Sequence, residues 1–283
     1  METPYLIQIE TITACNATCV MCGMRGLTRV RGRMSWEIFA RVIANCKDLG
    51  IQYIVPFING EPLSDKRMVE MLSYIKVYLP EVEIGWFTNG ILLTESIIEQ
   101  LIDIGNIKTF NISIHGGNKE TYEEVMCLKW EDMLEKLALL TEINRANNYP
   151  FHIKGHLCDF SKTHDSISDF QQLCEDFEIE LGICCYSNFG GLIQDEHGEA
   201  PFKNSPYQLC ERSQRHLYVL WDGTIVSCCF DVNGVNTFGN LNDNSLKELW
   251  ESESYHKFRQ LHLSGKYAEI PICKDCNSNR FRG

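Results

Sequence analysis

No stretch of this 283-residue sequence approaches the roughly 18 consecutive apolar residues that a membrane-crossing helix needs. The opening residues, Met1 to Pro4, carry neither the basic nor the apolar segment of a secretory signal. Positive charge is in deficit, with 26 Lys and Arg against 38 Asp and Glu, for a formal net charge of −12. Nucleic acid and anionic membranes are therefore poor partners, because phosphate contacts need a basic surface. Internal repeats and low-complexity tracts are missing. With 44% hydrophobic and 23% charged residues, disorder, collagen and coiled coil are excluded as the main architecture. A cytoplasmic protein is expected.

What the sequence has in excess is cysteine. There are 14, in a chain long enough to bury a large core without covalent staples. In a reducing compartment, clustered cysteines read as metal or redox sites rather than as disulfides.

Residues 1–190 alternate short β-branched runs with longer amphipathic ones. Strands are expected at 5–11, 53–58, 83–88, 109–114, 151–157 and 180–186. Between them, helical faces are expected along Ile38, Val42, Cys46 and Leu49; Met68, Leu72, Ile75 and Leu79; Ile97, Leu101 and Ile104; Met133, Leu137, Leu140 and Ile143; and Ile167, Phe170, Cys174 and Phe177. Six βα units imply a parallel sheet with helical crossovers, a partial (β/α)6 TIM-like barrel of the α/β class. Its active-site residues should follow the strands, at their C-terminal ends. Composition shifts near Gly190. Residues 191–206 read as a linker and 207–283 as a smaller unit, with a hairpin around Asp222-Gly223 and two helical segments.

The strongest motif follows the first strand. Cys15, Cys19 and Cys22 have the spacing Cys-x3-Cys-x2-Cys. Three thiolates can hold three corners of a cubane iron–sulfur cluster and leave one iron open to a ligand. Three cysteines fall short of the four ligands of a structural zinc site. The spacing and its place after strand one resemble the radical S-adenosylmethionine (SAM) superfamily. Further motifs recur in order. Asn59-Gly60-Glu61-Pro62 resembles the family's Gly-Gly-Glu-Pro loop, Thr88-Asn89-Gly90 closes the third strand, and Ser113-Ile114-His115-Gly116 closes the fourth. The resemblance implies that Gly60, Glu61, Asn89 and Ser113 serve SAM, with Glu61 receiving its amino group. It also implies reductive cleavage of SAM to a 5′-deoxyadenosyl radical, fed by an external one-electron donor such as flavodoxin or ferredoxin.

The second constellation is C-terminal: Cys210, Cys228, Cys273 and Cys276. It resembles the twitch form of the SPASM extension. The resemblance implies one auxiliary 4Fe–4S cluster, making 207–283 a cysteine-rich auxiliary-cluster domain. By spacing alone a zinc site remains the alternative, and Cys229 competes with Cys228 as ligand.

Cys46 and Cys174, on apolar helix faces, read as core. Cys158, Cys184 and Cys185 fall at strand ends. Packing explains them by default, and a thiol that returns a hydrogen atom to a substrate radical is the functional alternative. Neighbouring strand residues point oppositely, so one of Cys184 and Cys185 should face the barrel interior. His115, Lys154 and His156 also sit near strand ends; His115 or Lys154 could take a substrate proton. Tyr186 and Asn188 could line a substrate pocket. The expected activity is oxidation of a carbinol in a small polar metabolite, such as an aminocyclitol or sugar, with the auxiliary cluster as electron acceptor. Epimerisation and peptide modification are the alternatives.

Overall fold

The structure, a computed structural model, describes residues 3–193 and 209–277. Of the linker expected at 191–206, residues 194–206 lie outside the described residues. In chain order the elements are β1 (Leu6–Ile9), α1 (Trp36–Leu49), β2 (Tyr53–Val55), α2 (Met68–Tyr78), β3 (Glu83–Thr88), α3 (Glu95–Ile104), β4 (Ile107–Ser113), α4 (Lys119–Met126), α5 (Trp130–Ala146), β5 (His152–Asp159), α6 (Ile167–Asp176) and β6 (Glu180–Cys185). There follow α7 (Glu211–Arg215), β7 (His216–Val219), β8 (Thr224–Val226), β9 (Thr237–Asn240), α8 (Leu246–Glu251), α9 (Glu253–Leu263) and α10 (Pro271–Lys274).

All six expected strands form. The reading along the chain missed α4, α7, α10 and β9, which are short and weakly periodic. Several helix faces are turned by one residue. In α3 the buried set is Ile98, Leu101 and Ile104, and Ile97 is half-buried. In α1, Phe39 and Ile43 are buried where Ile38 was expected, and in α5 the buried residue is Asn144 rather than Ile143. Two adjacent apolar residues offer two faces, and only tertiary packing chooses between them. Asn144 is tolerated inside because its amide bonds both Phe151 backbone groups, at 3.0 Å each.

The chain divides into two compact units. The first comprises residues 1–14, 23–60 and 187–283. Its strands run in the order β2-β1-β7-β8-β9. The hairpin β7–β8 forms around Asp222-Gly223 as expected, with Gly223 at φ +88°. It does not stand apart, because β7 lies parallel on β1, with Leu6 opposite His216 and Ile9 opposite Val219. Ile7, Ile9, Leu217 and Val219 are fully buried, so the apolar run of β7 completes the burial of β1. Glu10, at the end of β1, is also fully buried. Its carboxylate pairs with Arg29, accepts the Asn59 amide at 2.8 Å and accepts the Trp221 N–H at 3.2 Å. A buried charge of this kind persists only with such partners.

The second unit comprises residues 15–22 and 61–186. Its strands β3-β4-β5-β6 are all parallel. Trp86, Phe110 and Phe151 stack through its interior, with centroids 6.1 and 5.3 Å apart. The parallel register brings the ends of β3, β4, β5 and β6 to one edge, where Thr88, Ser113, Cys158 and Cys184 sit.

Candidate active site

In the second unit, the cysteine loop is anchored to α4 at two adjacent residues, Cys19 and Val20. The Val20 N–H donates to the Val125 carbonyl of α4 at 2.9 Å, and the Cys19 Sγ lies 3.6 Å from the Met126 sulfur. Cys15 is exposed, whereas Cys19 and Cys22 are half-buried. Burial pushes the Cys15 thiol up to about 11, with Glu61 and Cys22 adding to the shift. Burial also raises Cys19, and Cys22 and Cys15 add to it. The three sulfurs thus sense one another. Gathered negative charge of this kind is stable only when a metal takes the place of the protons.

The loop after β2 meets the end of β3. Glu61 is 2% exposed. Its Oε1 accepts the Thr88 hydroxyl at 2.7 Å and the Leu63 N–H at 3.2 Å, and its Oε2 accepts the Asn89 N–H at 2.8 Å. Burial raises its carboxyl, and these three donors oppose the shift. The Asn89 side chain donates to Asn16 at 2.8 Å. Asn16 lies inside the cysteine loop, so one hydrogen-bonded chain joins Thr88, Glu61, Asn89 and that loop. In the first unit, Gly60 has φ +83°, and a Cβ there would come within 2.6 Å of the Ile12 carbonyl and 2.7 Å of Ala14's. Only glycine fits.

At the strand ends, Ser113 is half-buried. The His115 Nδ1 accepts the Cys158 N–H at 2.9 Å. Desolvation, then His156, lowers His115 to about 3. Its neutral ring therefore carries its proton on Nε2, and it cannot take another without breaking the Cys158 bond. His156 is oriented the opposite way. Its Nε2 donates to the Asn111 side-chain Oδ1 at 2.7 Å, and the Asn111 side-chain NH2 donates to the Trp86 backbone carbonyl at 2.9 Å. The His156 Nδ1 is left as an acceptor. Desolvation lowers this ring to about 4, and Lys154 adds to the shift.

Lys154 pairs with Glu180, its register partner on β6, so its ammonium is committed rather than available as a base. Cys158 and Cys184 lie opposite each other on β5 and β6 and are hydrogen-bonded. Cys158 donates, which raises its own thiol and lowers that of Cys184. Cys158 is buried; Cys184 and Cys185 are both exposed, since β6 ends this order of strands. Asn188, a possible pocket residue by sequence, bonds the residues around Asp275. Its amide donates to the Asp275 carbonyl at 2.6 Å, and its N–H to Asn277 at 3.1 Å.

In the first unit, Cys210, Cys228, Cys273 and Cys276 line one cavity, together with Arg212, Phe230 and His262. Cys229 is not among the lining residues. Burial raises Cys228, and Cys229, Cys273 and Cys276 add to it; burial also raises Cys273, and Cys276 and Cys210 follow. The His262 Nε2 lies 3.5 Å from the Cys273 sulfur. Among the described residues, no three His, Cys, Asp or Glu side chains are gathered as ligands of a single metal ion. A soft, all-sulfur donor set suits an iron–sulfur cluster, and by donor type alone zinc as well. The residues present therefore fit the clusters that the sequence resemblance implies.

Residues 9–165 match the radical SAM superfamily, and residues 210–277 match SPASM, an iron–sulfur cluster-binding domain. The chain belongs to the radical SAM superfamily and carries a SPASM extension. It is 22% identical over 275 residues to the S-adenosyl-L-methionine-dependent 2-deoxy-scyllo-inosamine dehydrogenase of Niallia circulans, covering 96% of this chain and 92% of that one. Among solved structures it is similar to BtrN in complex with AdoMet and 2-DOIA, with TM-score 0.68 and 21% identity over 97% of this chain and 93% of that one. It is also similar to Streptococcus suis SuiB bound to precursor peptide SuiA, with TM-score 0.74 and 15% identity over 92% of this chain and 67% of that one. The fold is thus α/β, a radical SAM partial barrel with a C-terminal SPASM domain. The chain is an enzyme whose cofactors are SAM, the 4Fe–4S cluster that binds it and an auxiliary iron–sulfur cluster.

Asn16, Asn111 and Arg212 were not singled out from the sequence, and Thr88 was read only as part of the Thr88-Asn89-Gly90 turn. Arg212 stands two residues from Cys210, a positional hint. The others are common polar residues that become informative only when a partner is placed beside them.

Proposed function

We propose that the chain is a radical SAM oxidoreductase that converts a carbinol of a small polar metabolite, such as an aminocyclitol or sugar, to a ketone. Cys15, Cys19 and Cys22 hold the SAM-binding cluster and leave one iron open. Cys210, Cys228, Cys273 and Cys276 hold the auxiliary 4Fe–4S cluster, within a functional division at 1–190, 191–206 and 207–283. When bound, SAM supplies a 5′-deoxyadenosyl radical able to take hydrogen from unactivated carbon, and the auxiliary cluster supplies an electron sink. The observation that carries this reading is the cavity ringed by four cysteines. Four protein thiolates leave no open iron for a Lewis acid, and electron transfer is the role that remains.

The chain's own residues supply binding and proton handling. Glu61 fixes the Asn89 loop and keeps a lone pair on Oε2 for the SAM ammonium. Gly60 lets the backbone pass close to the Ile12 and Ala14 carbonyls, and Ser113 presents a hydroxyl at the end of β4. Oxidising a carbinol releases one proton besides the hydrogen atom and the electron. His156, unprotonated at Nδ1 near neutral pH, accepts it; His115 and Lys154 are already committed. The substrate class draws support from the likeness to the inosamine dehydrogenase along 96% of this chain. A flavodoxin or ferredoxin delivers the initiating electron in the cytoplasm. Among the described residues, no helix is long and apolar enough to cross a membrane.

A second reading has one observation in its favour. Cys158 and Cys184 lie opposite each other at the ends of β5 and β6, and a thiol so placed can return a hydrogen atom and give epimerisation. Anaerobically reconstituted enzyme, given SAM, dithionite and 2-deoxy-scyllo-inosamine or related aminocyclitols, tests the primary reading. The expected outcome is substrate-dependent release of 5′-deoxyadenosine with a ketone product. Absence of any SAM-dependent product across aminocyclitols and sugars overturns it.

A further inference from the structure

Arg212 lines the same cavity as Cys210, Cys228, Cys273 and Cys276. Its guanidinium carbon lies 4.8 Å from the Phe230 ring centroid. Phe230 meets Phe189 edge-on at 5.2 Å. The groups that act on the guanidinium are Cys229, Tyr218, Cys210 and Cys228; no carboxylate is among them in the described residues. A half-buried cation facing only neutral thiols and a phenol would be costly. Facing thiolates, it is compensated. Among the described residues that line the cavity, Arg212 is the one permanently charged cation.

We infer that Arg212 is the counter-charge of the auxiliary cluster and raises its reduction potential, fitting the cluster to accept an electron. The inference rests on the ligand assignment above. The sign follows from electrostatics. A cluster held by four thiolates is already anionic, and an added electron makes it more so. A nearby cation stabilises the reduced form more than the oxidised one, and does so strongly where water is excluded. Removing the charge makes reduction harder.

The experiment uses the full chain with Cys15, Cys19 and Cys22 all changed to Ala, so that only the auxiliary cluster remains. Iron content is measured first, because iron absent from this background overturns the ligand assignment rather than the role of Arg212. Redox titration followed by absorbance and EPR then compares Arg212 with Arg212→Gln and Arg212→Lys. The expected result is a reduction constant at least tenfold lower in Arg212→Gln, a downward shift of about 59 mV for a one-electron couple. Arg212→Lys should stay within about threefold of the parent. An unchanged potential in a cluster-loaded Arg212→Gln protein overturns the inference. If Arg212→Gln fails to load iron while Arg212→Lys loads normally, charge is needed to hold the cluster and the inference stands. Failure of both to load assigns Arg212 a role of shape, not charge, and overturns it.

Discussion

The Glu61 carboxylate accepts the Asn89 backbone N–H at 2.8 Å, and the Asn89 side chain reaches Asn16 of the cysteine loop, also at 2.8 Å. A carboxylate expected to serve only a ligand is therefore also the fastener between the loop after β2 and the end of β3. Its geometry is set before SAM arrives, which lowers the ordering cost of binding.

Glu61→Gln should weaken SAM binding about 10-fold or more. The substitution removes a charge-assisted acceptor worth roughly 1.5–3 kcal/mol and turns an amide group toward the Asn89 or Thr88 donor. Equilibrium dialysis with labelled SAM checks this. Unchanged affinity would show that Glu61 is structural only.

Anaerobic reconstitution should give about eight irons per chain, two 4Fe–4S clusters by the seven-cysteine assignment. Changing Cys15, Cys19 and Cys22 together to Ala should leave about half. Cys228→Ala should lose the auxiliary cluster and Cys229→Ala keep it, because Cys228 lines the cavity and Cys229 does not. The reverse pattern, read by iron and sulfide analysis, would move the ligand by one residue.

Stability should fall as the solution is acidified from about pH 6.5 toward about pH 4. His156 is lowered to about 4 and His115 to about 3. Both rings stay neutral in the folded protein while the unfolded chain takes up protons below its ordinary histidine range. The unfolded state then binds more protons, so stability rises with pH across this window and is lost as pH falls. His156→Gln should flatten that part of the profile, as read by urea midpoints of the metal-free protein. An identical slope in the variant would remove the argument that His156 is held neutral.

The alternation of strands and amphipathic runs made the six βα units and their strand ends legible, because hydrophobic period is a local property. The seven proposed cluster cysteines were legible by spacing. The way His115 and His156 face was not. Two histidines near adjacent strand ends look alike in sequence, yet His115 spends its Nδ1 on the Cys158 N–H while His156 spends its Nε2 on Asn111. Only the parallel register of β4 and β5, which sets Asn111 opposite Lys154 and Ser113 opposite His156, distinguishes them. The pairing of β7 with β1 was hidden for the same reason, since the partners lie some 210 residues apart.

Cys158→Ala and Cys184→Ala should each retain turnover if oxidation is the reaction, because neither thiol then returns hydrogen. Each should shift thermal stability only modestly, Cys158 more than Cys184, since it is the buried partner. A variant that still cleaves SAM but makes no product would favour epimerisation.

The most direct test is the mass of the product formed in deuterated water from an aminocyclitol deuterated at its carbinol carbon. Oxidation predicts that this deuterium appears in 5′-deoxyadenosine, and that the product is a ketone carrying no solvent deuterium at that carbon. A product that keeps its hydroxyl and gains one solvent deuterium there would contradict the account.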